Sequence, residues 1–280
     1  MSAESDGRPP RRAAVLGHPV DHSLSPVLHR AAYLDLGLRW EYDRVDLTPE
    51  ALPAFLDGLD GSWAGLSLTM PLKKSVLALL DEIDPVARAT SAVNTVVLGP
   101  GGSRLGFNTD VDGIVASLGP TASLPVRPTA AVIGGGATAC SALAALQRLG
   151  ATEVAVRVRR PEAAGDLLAC ADAIGLAIEV AGWDRLGDAA TCDVVVSTVP
   201  AGASDELASM LPPHTGVLLD VVYDPWPTPL AQAWGRADGT VASGLDLLLH
   251  QAVRQVELMT GLTPSVPVMR AALTAAADAR

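Results

Sequence analysis

The chain has 280 residues and a mass of 28.7 kDa, long enough for one large domain or two ordinary ones and too long for a single small module. Apolar residues make up 49% and charged residues 18%, which excludes the weakly hydrophobic, highly charged signature of disorder and leaves material for a substantial core. The formal charge of −11, with no long basic run, argues against nucleic acid and anionic membranes as partners.

No apolar stretch approaches the roughly 20 uninterrupted residues of a membrane helix. The segment Met1 to Arg12 is polar with no hydrophobic signal core behind it, so a soluble, cytoplasmic protein is expected. Cys140, Cys170 and Cys192 are odd in number and lack C-x-x-C spacing, which argues against a disulfide framework and a zinc site and points to reduced, buried thiols. His18, His22, His29, His214 and His250 show neither H-E-x-x-H nor paired ligand spacing, so no metal is expected. A G-x-S-x-G hydrolase elbow is absent too.

After a frayed start, Ala13 to Leu16 reads as a strand that breaks at Gly17 and runs through a loop to Ser23-Leu24-Ser25-Pro26. Pro26 suits a first helical position and Ser25 the cap before it, with the helix ending at Gly37. A strand is expected over Glu41 to Leu47, a short helix over Pro49 to Gly58, a strand over Ala64 to Met70 and a helix over Leu72 to Leu80. Alternating strands and helices make this half an α/β layer with a mainly parallel sheet. Asn94 to Leu98 and Arg104 to Phe107 flank a Gly-rich turn and predict a hairpin, and Asp110 is placed to cap a helix over Val111 to Leu118. Gly119-Pro120 and Leu124 to Pro128 form the clearest linker.

From Ala130 the pattern restarts as strand Ala131 to Ile133, loop Gly134-Gly135-Gly136, helix Ala137 to Leu149 and strand Val154 to Val158, one βαβ unit of the expected length. Apolar strands at Val194 to Ser197, Val217 to Val222 and Thr240 to Ser243 continue it. The last strong segment, Gly244 to Gly261, is a helix whose Leu247, Leu248, Gln251 and Gln255 share one stripe.

Several residues carry candidate chemistry. Gly134 to Ala139 fits G-x-G-x-x-G/A between a strand and a helix, where a tight turn and bare backbone N–H groups cradle a pyrophosphate; a purely structural turn is the alternative. Where that unit's second strand ends, NAD-selective proteins carry an acidic residue, but this chain has Arg157-Val158-Arg159-Arg160. Guanidinium groups at Arg159 and Arg160 suit the 2′-phosphate of NADP, the alternative being a solvated basic turn. Ser23 and Ser25, two apart before a helix, suit a carboxylate, although Ser25 as a plain cap uses the same geometry. Lys73 falls in the first turn of a predicted helix, where the macrodipole disfavours a cation by roughly 0.3 to 1 kcal/mol; a catalytic ammonium and an ordinary surface lysine are both open. Asn94-Thr95 and Asn108-Thr109-Asp110 bracket the hairpin and bring amides and a carboxylate toward one end of the sheet, with Asp110 alternatively a simple cap.

Taken in order, His22-Ser23-Leu24-Ser25-Pro26, Leu68 to Lys73, Ala92 to Thr95, Gly106 to Asp110, the glycine loop, Tyr223-Asp224-Pro225 with Thr228-Pro229, and Gly244 to Gln251 resemble the shikimate dehydrogenase family over nearly the whole chain. The resemblance implies an N-terminal α/β substrate domain and a Rossmann-like doubly wound NADP-binding domain, with C-terminal helices returning to the first. The expected limits are 1–112 completed by 244–280, and 113–243. It implies NADP-dependent interconversion of 3-dehydroshikimate and shikimate, with Lys73 and Asp110 as the catalytic pair. By the same resemblance Ser23 and Ser25 hold the substrate carboxylate, Thr69, Asn94, Asp110 and Gln251 hold ring hydroxyls, and Tyr223 lies close to the substrate. Gly134, Gly135, Gly136, Ala137, Thr138, Arg159 and Arg160 are the implied cofactor contacts, with the backbone near Val221 and Gly244 against the nicotinamide. A small-molecule substrate and a monomer or homodimer are expected. Alternatives are an NAD-dependent quinate/shikimate dehydrogenase and a non-catalytic NADP-binding sensor. The chain departs from the family at Ala137, where Gly is usual, at Val158-Arg159-Arg160 in place of Asn-Arg-Thr, and at Ser67, where an apolar residue is common.

Overall fold

Uninterrupted runs of Ala, Val, Leu and Ile only four to six residues long belong to strands buried on both faces, which is what a largely parallel sheet covered by helices requires. A computed structural model describes residues 10–119, 124–213 and 216–280. Met1 to Pro9 of the frayed start, Pro120 of the expected linker and His214 lie outside the described residues. The chain forms two compact units. One takes the stretch through Arg88 with Ala92–Thr109 and Leu249–Arg280, and the other takes Ala89–Ser91 and Asp110–Leu248.

In chain order through Phe107 the structure has β1 (Arg12–Gly17), α1 (Ser25–Asp35), β2 (Glu41–Asp46), α2 (Leu52–Asp57), β3 (Trp63–Leu68), α3 (Leu72–Ser75), β4 (Glu82–Ile83), α4 (Pro85–Ala89), β5 (Thr95–Leu98) and β6 (Arg104–Phe107). The strands lie in the order β2-β1-β3-β5-β6-β4. β1 pairs parallel with β2 and β3, and β4 with β6, while β5 runs antiparallel to both β3 and β6 because the predicted Gly-rich hairpin reverses the chain. The sheet is therefore mainly parallel, as expected. Leu16, Leu66, Leu68 and Val96 bury against Leu52, Leu56 and Leu72 to form the core of one face.

Two local expectations fail here. The predicted helix from Leu72 to Leu80 stops at Ser75 and gives way to a 3-10 turn over Leu77–Leu79. α3 is thus a single turn with few aligned peptide dipoles, and the argument that a macrodipole disfavours the Lys73 ammonium loses its basis. Ser25 is the first residue of α1 rather than its cap; Leu24 holds the cap position with helical backbone angles and no side-chain hydrogen bond.

The chain continues with α5 (Thr109–Leu118), β7 (Ala130–Ile133), α6 (Ala137–Arg148), β8 (Glu153–Arg157), α7 (Gly165–Ile174), β9 (Ala177–Ala181), β10 (Val194–Ser197), β11 (Val217–Asp220), α8 (Pro229–Arg236), β12 (Thr240–Ser243), α9 (Gly244–Thr260) and α10 (Val266–Asp278). The second sheet has the order β12-β11-β10-β7-β8-β9, with every neighbouring pair parallel. Numbered from β7, its strands read 3-2-1-4-5-6, the arrangement of dinucleotide-binding sheets, and the order reverses between β7 and β10. Gly134 to Gly136 follow β7 at that reversal, where ligands of such sheets bind. On one face Trp234 of α8 is fully buried with Ile133, Val195, Leu218 and Leu230, and its indole N–H donates to the Gly216 carbonyl at 2.9 Å.

Truncating that indole removes its packing and leaves the Gly216 carbonyl only its bond from the Thr240 N–H at 3.1 Å. Trp234→Ala is expected to destabilise the chain by about 3–5 kcal/mol, read from urea unfolding followed by far-UV circular dichroism.

Candidate active site

Within the first unit a polar cluster is built where β3, β5 and α9 come together. Leu68 at the end of β3 donates its N–H to the Asn94 carbonyl at 2.7 Å, and Asn94 donates its own N–H to Phe107 at 3.1 Å, so Asn94 is held by main-chain bonds on both sides. Its side-chain Oδ1 accepts from the Thr95 hydroxyl at 2.8 Å, the Thr109 N–H at 2.8 Å and the Thr109 hydroxyl at 3.1 Å. The first N–H of α5 is therefore satisfied by a side chain fifteen positions earlier. Asp110, expected as the cap, instead sits inside the helix, buried at its second position. A carboxylate there still gains from the positive helix end. Asn94 Nδ2 lies 3.5 Å from Gln251 Oε1, which brings these two predicted binding amides together.

The remaining predicted residues of this unit are held largely through their main chain. Thr69 extends the β1–β3 pairing by donating its N–H to Leu16 at 2.9 Å, and its carbonyl accepts from Leu72 at 2.8 Å to open α3. Lys73 is half-buried on that turn, and its carbonyl accepts from Val93 at 2.9 Å, which ties it to the segment leading through Asn94 into β5. Ser23 and Ser25 are both buried; the Ser25 N–H donates to Ser23 Oγ at 3.3 Å. Arg44 on β2 clamps this loop by donating from Nε and Nη2 to the Ser23 carbonyl at 2.8 and 2.6 Å.

The second unit carries the predicted phosphate cradle. Gly134 has φ +122°, a left-handed conformation that side chains rarely adopt, and a Cβ there would overlap the Thr198 hydroxyl. Gly135 and Gly136 are exposed, and a Cβ on Gly136 would meet only open space, so a ligand can approach this backbone. Ala137 and Thr138 then open α6, whose first-turn N–H groups and positive end suit an anion. At the end of β8, Arg157 is fully buried, donating to the Arg185 carbonyl at 3.0 Å and pairing with Glu179 at 3.0 Å. That arginine is structural, whereas Arg159 and Arg160 just beyond it are exposed. Gly244 opens α9 so close to β11 that a Cβ would lie 2.6 Å from the Val221 carbonyl carbon. Tyr223, half-buried, follows on the same loop, which Asp220 organises by accepting from Thr228 Oγ1 at 2.8 Å and the Val222 N–H at 3.2 Å. A bare glycine backbone at a helix start, with two free-standing guanidinium groups one strand away, fits a dinucleotide bearing a 2′-phosphate.

Similarity to known proteins agrees with this geometry. Residues 15–96 match a family model described as the shikimate dehydrogenase substrate binding domain, and 244–274 one described as the shikimate 5′-dehydrogenase C-terminal domain. The NADP(+) shikimate dehydrogenase of Rubrobacter xylanophilus is 37% identical over 268 residues, covering 93% of this chain and 94% of that one. The chain belongs to the shikimate dehydrogenase family. Among solved members, the Mycobacterium tuberculosis enzyme superposes with a TM-score of 0.86 at 41% identity, over 95% of this chain and 100% of that one. A Thermus thermophilus shikimate 5-dehydrogenase, solved in complex with NADP(H) and shikimate, gives 0.83 at 34% identity, over 95% and 99%.

Beyond the family motifs, the structure recruits polar residues to which sequence reasoning gave no role. Gln255, one turn after Gln251 on α9, is buried and joins Thr95, Ser67 and His29. Tyr42 on β2 donates to Ser67 at 2.6 Å and stacks on His29 with ring centroids 3.9 Å apart. The available signal was a second glutamine on the buried stripe of an amphipathic helix, since buried amides demand partners. Among the described residues no helix is long and apolar enough to cross a membrane, and no group of three or more His, Cys, Asp or Glu side chains is arranged to hold a metal. Cys140 and Cys170 are buried thiols as expected, and Cys192 is half-buried.

Burial holds His29 neutral by pushing its pKa down from 6.5 to about 3, against a smaller opposing effect of the Gln255 hydrogen bond. The unfolded chain takes up a proton at this histidine below pH 6.5 while the folded chain does so only near pH 3, so stability falls with acidification across that window. Between pH 7 and pH 5 the loss from this group is expected to be about 2 kcal/mol. Urea unfolding of His29→Gln should show a pH dependence shallower by that amount.

Proposed function

We propose that this chain reversibly reduces 3-dehydroshikimate to shikimate with NADPH, the shikimate-pathway step that serves aromatic amino acid biosynthesis. The observation that carries the reading is near-full-length similarity to NADP(+) shikimate dehydrogenases, joined to a glycine cradle followed by exposed Arg159 and Arg160. Residues 1–112 completed by 244–280 form the substrate domain, and 113–243 the cofactor domain. The chain works in the cytoplasm as a monomer or homodimer on a small-molecule substrate.

Ser23 and Ser25 bind the substrate carboxylate through hydroxyl and N–H donors. Thr69, Asn94, Asp110 and Gln251 hold the ring hydroxyls, and Tyr223 lies close by. These contacts contribute by orientation, which converts a diffusive encounter into a positioned one. Lys73 and Asp110 are the catalytic pair: the ammonium polarises the ring carbonyl, and the pair delivers a proton to its oxygen as the carbon is reduced. Gly134, Gly135, Gly136, Ala137 and Thr138 would hold the pyrophosphate, Arg159 and Arg160 the 2′-phosphate, and the backbone at Val221 and Gly244 would border the nicotinamide. When bound, NADPH supplies the hydride. In the direction of shikimate oxidation the same two side chains accept the hydroxyl proton.

The test is an absorbance assay at the nicotinamide band with shikimate or quinate crossed against NADP and NAD. Turnover with shikimate and NADP supports the reading, and no turnover in any combination overturns it. Lys73→Ala should lower kcat by about 10² to 10⁴-fold with little change in KM for shikimate, because proton supply matters in the transition state rather than in binding. Replacing Arg159 and Arg160 together with alanine should raise KM for NADP by about tenfold or more while leaving KM for NAD unaltered, as two charge-assisted contacts to the extra phosphate are lost.

A further inference from the structure

In the cluster behind Asn94 the carbonyl and main-chain N–H groups fix most hydrogen-bond directions, while the Thr95–Thr109 hydroxyl contact at 3.3 Å can run either way. The Asn94 main-chain carbonyl can only accept, so the end of the Gln255 amide 3.3 Å away must be its NH2. That same Nε2 donates to Thr95 Oγ1 at 3.0 Å. The Thr95 hydroxyl donates to Asn94 Oδ1 at 2.8 Å, its shorter contact, beside the Thr109 main-chain N–H that donates to the same oxygen at 2.8 Å. The other end of Gln255, Oε1, accepts from Ser67 Oγ at 2.9 Å and from His29 Nε2 at 3.1 Å. His29 thereby carries its proton on Nε2, and Nδ1 accepts from the Tyr33 hydroxyl at 3.2 Å. Ser67 can donate to Gln255 because it accepts in turn from Tyr42. The α1, β2 and β3 side of the cluster thus supplies donors, and α9 passes that polarity through one amide to β5.

We propose that Gln255 is a positioning residue which, through Thr95, locks the Asn94 amide with its carbonyl inward and its NH2 toward the substrate ring. The Asn94 NH2 faces Gln251 Oε1, so the Gln251 amide is turned the same way, with its NH2 as the donor end. Both amides then offer N–H groups, and the ring oxygens they meet act as acceptors. A buried amide with four partners in place has no low-cost alternative rotamer, because each flip sets two acceptors or two donors face to face. This deepens the shikimate dehydrogenase reading and rests on it for the identity of the ring.

The experiment is steady-state kinetics of the full chain with shikimate and NADP. Gln255→Met keeps the volume and removes the relay at its source, and Thr95→Val keeps the shape and removes the relay at its second member. Each single variant is expected to raise KM for shikimate about tenfold while kcat and KM for NADP stay within about twofold of the parent. The double variant should be no worse than either single one, since both cut the same path. A KM for shikimate within about twofold of the parent in Thr95→Val, or an equal rise of both Michaelis constants, overturns the proposal. Thermal unfolding identifies a Gln255→Met protein that has failed to fold, in which case Thr95→Val decides alone. A parent chain inactive on shikimate overturns the functional reading instead, an outcome separate from any difference among the variants.

Discussion

The first unit is organised around the peptide and side chain of Asn94. Its carbonyl takes the last N–H of β3 and the Gln255 amide, its N–H reaches β6, and its side-chain oxygen takes the first N–H of α5. An unmet polar group in such a place costs about 1–3 kcal/mol, so sheet, helix start and α9 must all be in register before any one of them is comfortable. This couples the fold to the site without further devices. The strand order sets where Asn94 lies, and the demand for partners sets which way its amide faces.

The second unit depends on steric room. The central strands of its sheet are mainly apolar, and two of its glycines stand where a side chain is forbidden. Gly134 adopts a conformation closed to L side chains and sits against Thr198; Gly244 lies against the Val221 peptide with no space for a methyl group. Charge then follows from where β8 ends. Arg157, still inside the strand, is consumed by Glu179 and the Arg185 carbonyl, while Arg159 and Arg160, past the last sheet bond, remain in solvent. Three arginines within four positions thus divide into one that holds the fold and two that are available to a phosphate.

What the sequence disclosed was whatever local chemistry determines. Branched apolar runs located β7, β10 and β12, the glycine cluster between β5 and β6 announced the hairpin, and α9 was visible over its whole length. Chain ends of helices were less legible, because their satisfaction is tertiary. Thr109 is served by Asn94 rather than by Asp110, and Ser25 enters α1 instead of capping it. Leu72 to Leu80 had an unbroken helical pattern, yet the chain leaves α-geometry after Ser75, where Val76 buries and Leu77–Leu79 tighten into a 3-10 turn. β4, two residues long, and β9, whose residues are only half-buried, carry too little pattern to be seen alone. Among the candidate residues, those identified by type and spacing were placed by the fold on ordered turns and strand ends, whereas the His29–Gln255 network left only the second glutamine of α9 as a trace, because Gln255 meets Thr95, Ser67 and His29 at separations of 160, 188 and 226 positions.

The chemistry of that network also bears on how the site responds to pH. His29 is kept neutral, and burial raises the ionisation of Tyr33 and Tyr42 well above the ordinary phenol range. Each of the three has a single protonation state across the neutral region, so the donors and acceptors that orient Asn94 do not change places there. Orientation of the Asn94 amide is then constant across that region. A pH dependence of turnover near neutrality then originates outside this network. A charged residue within the supporting network would have mixed binding and catalysis in one titration; a neutral network keeps them apart.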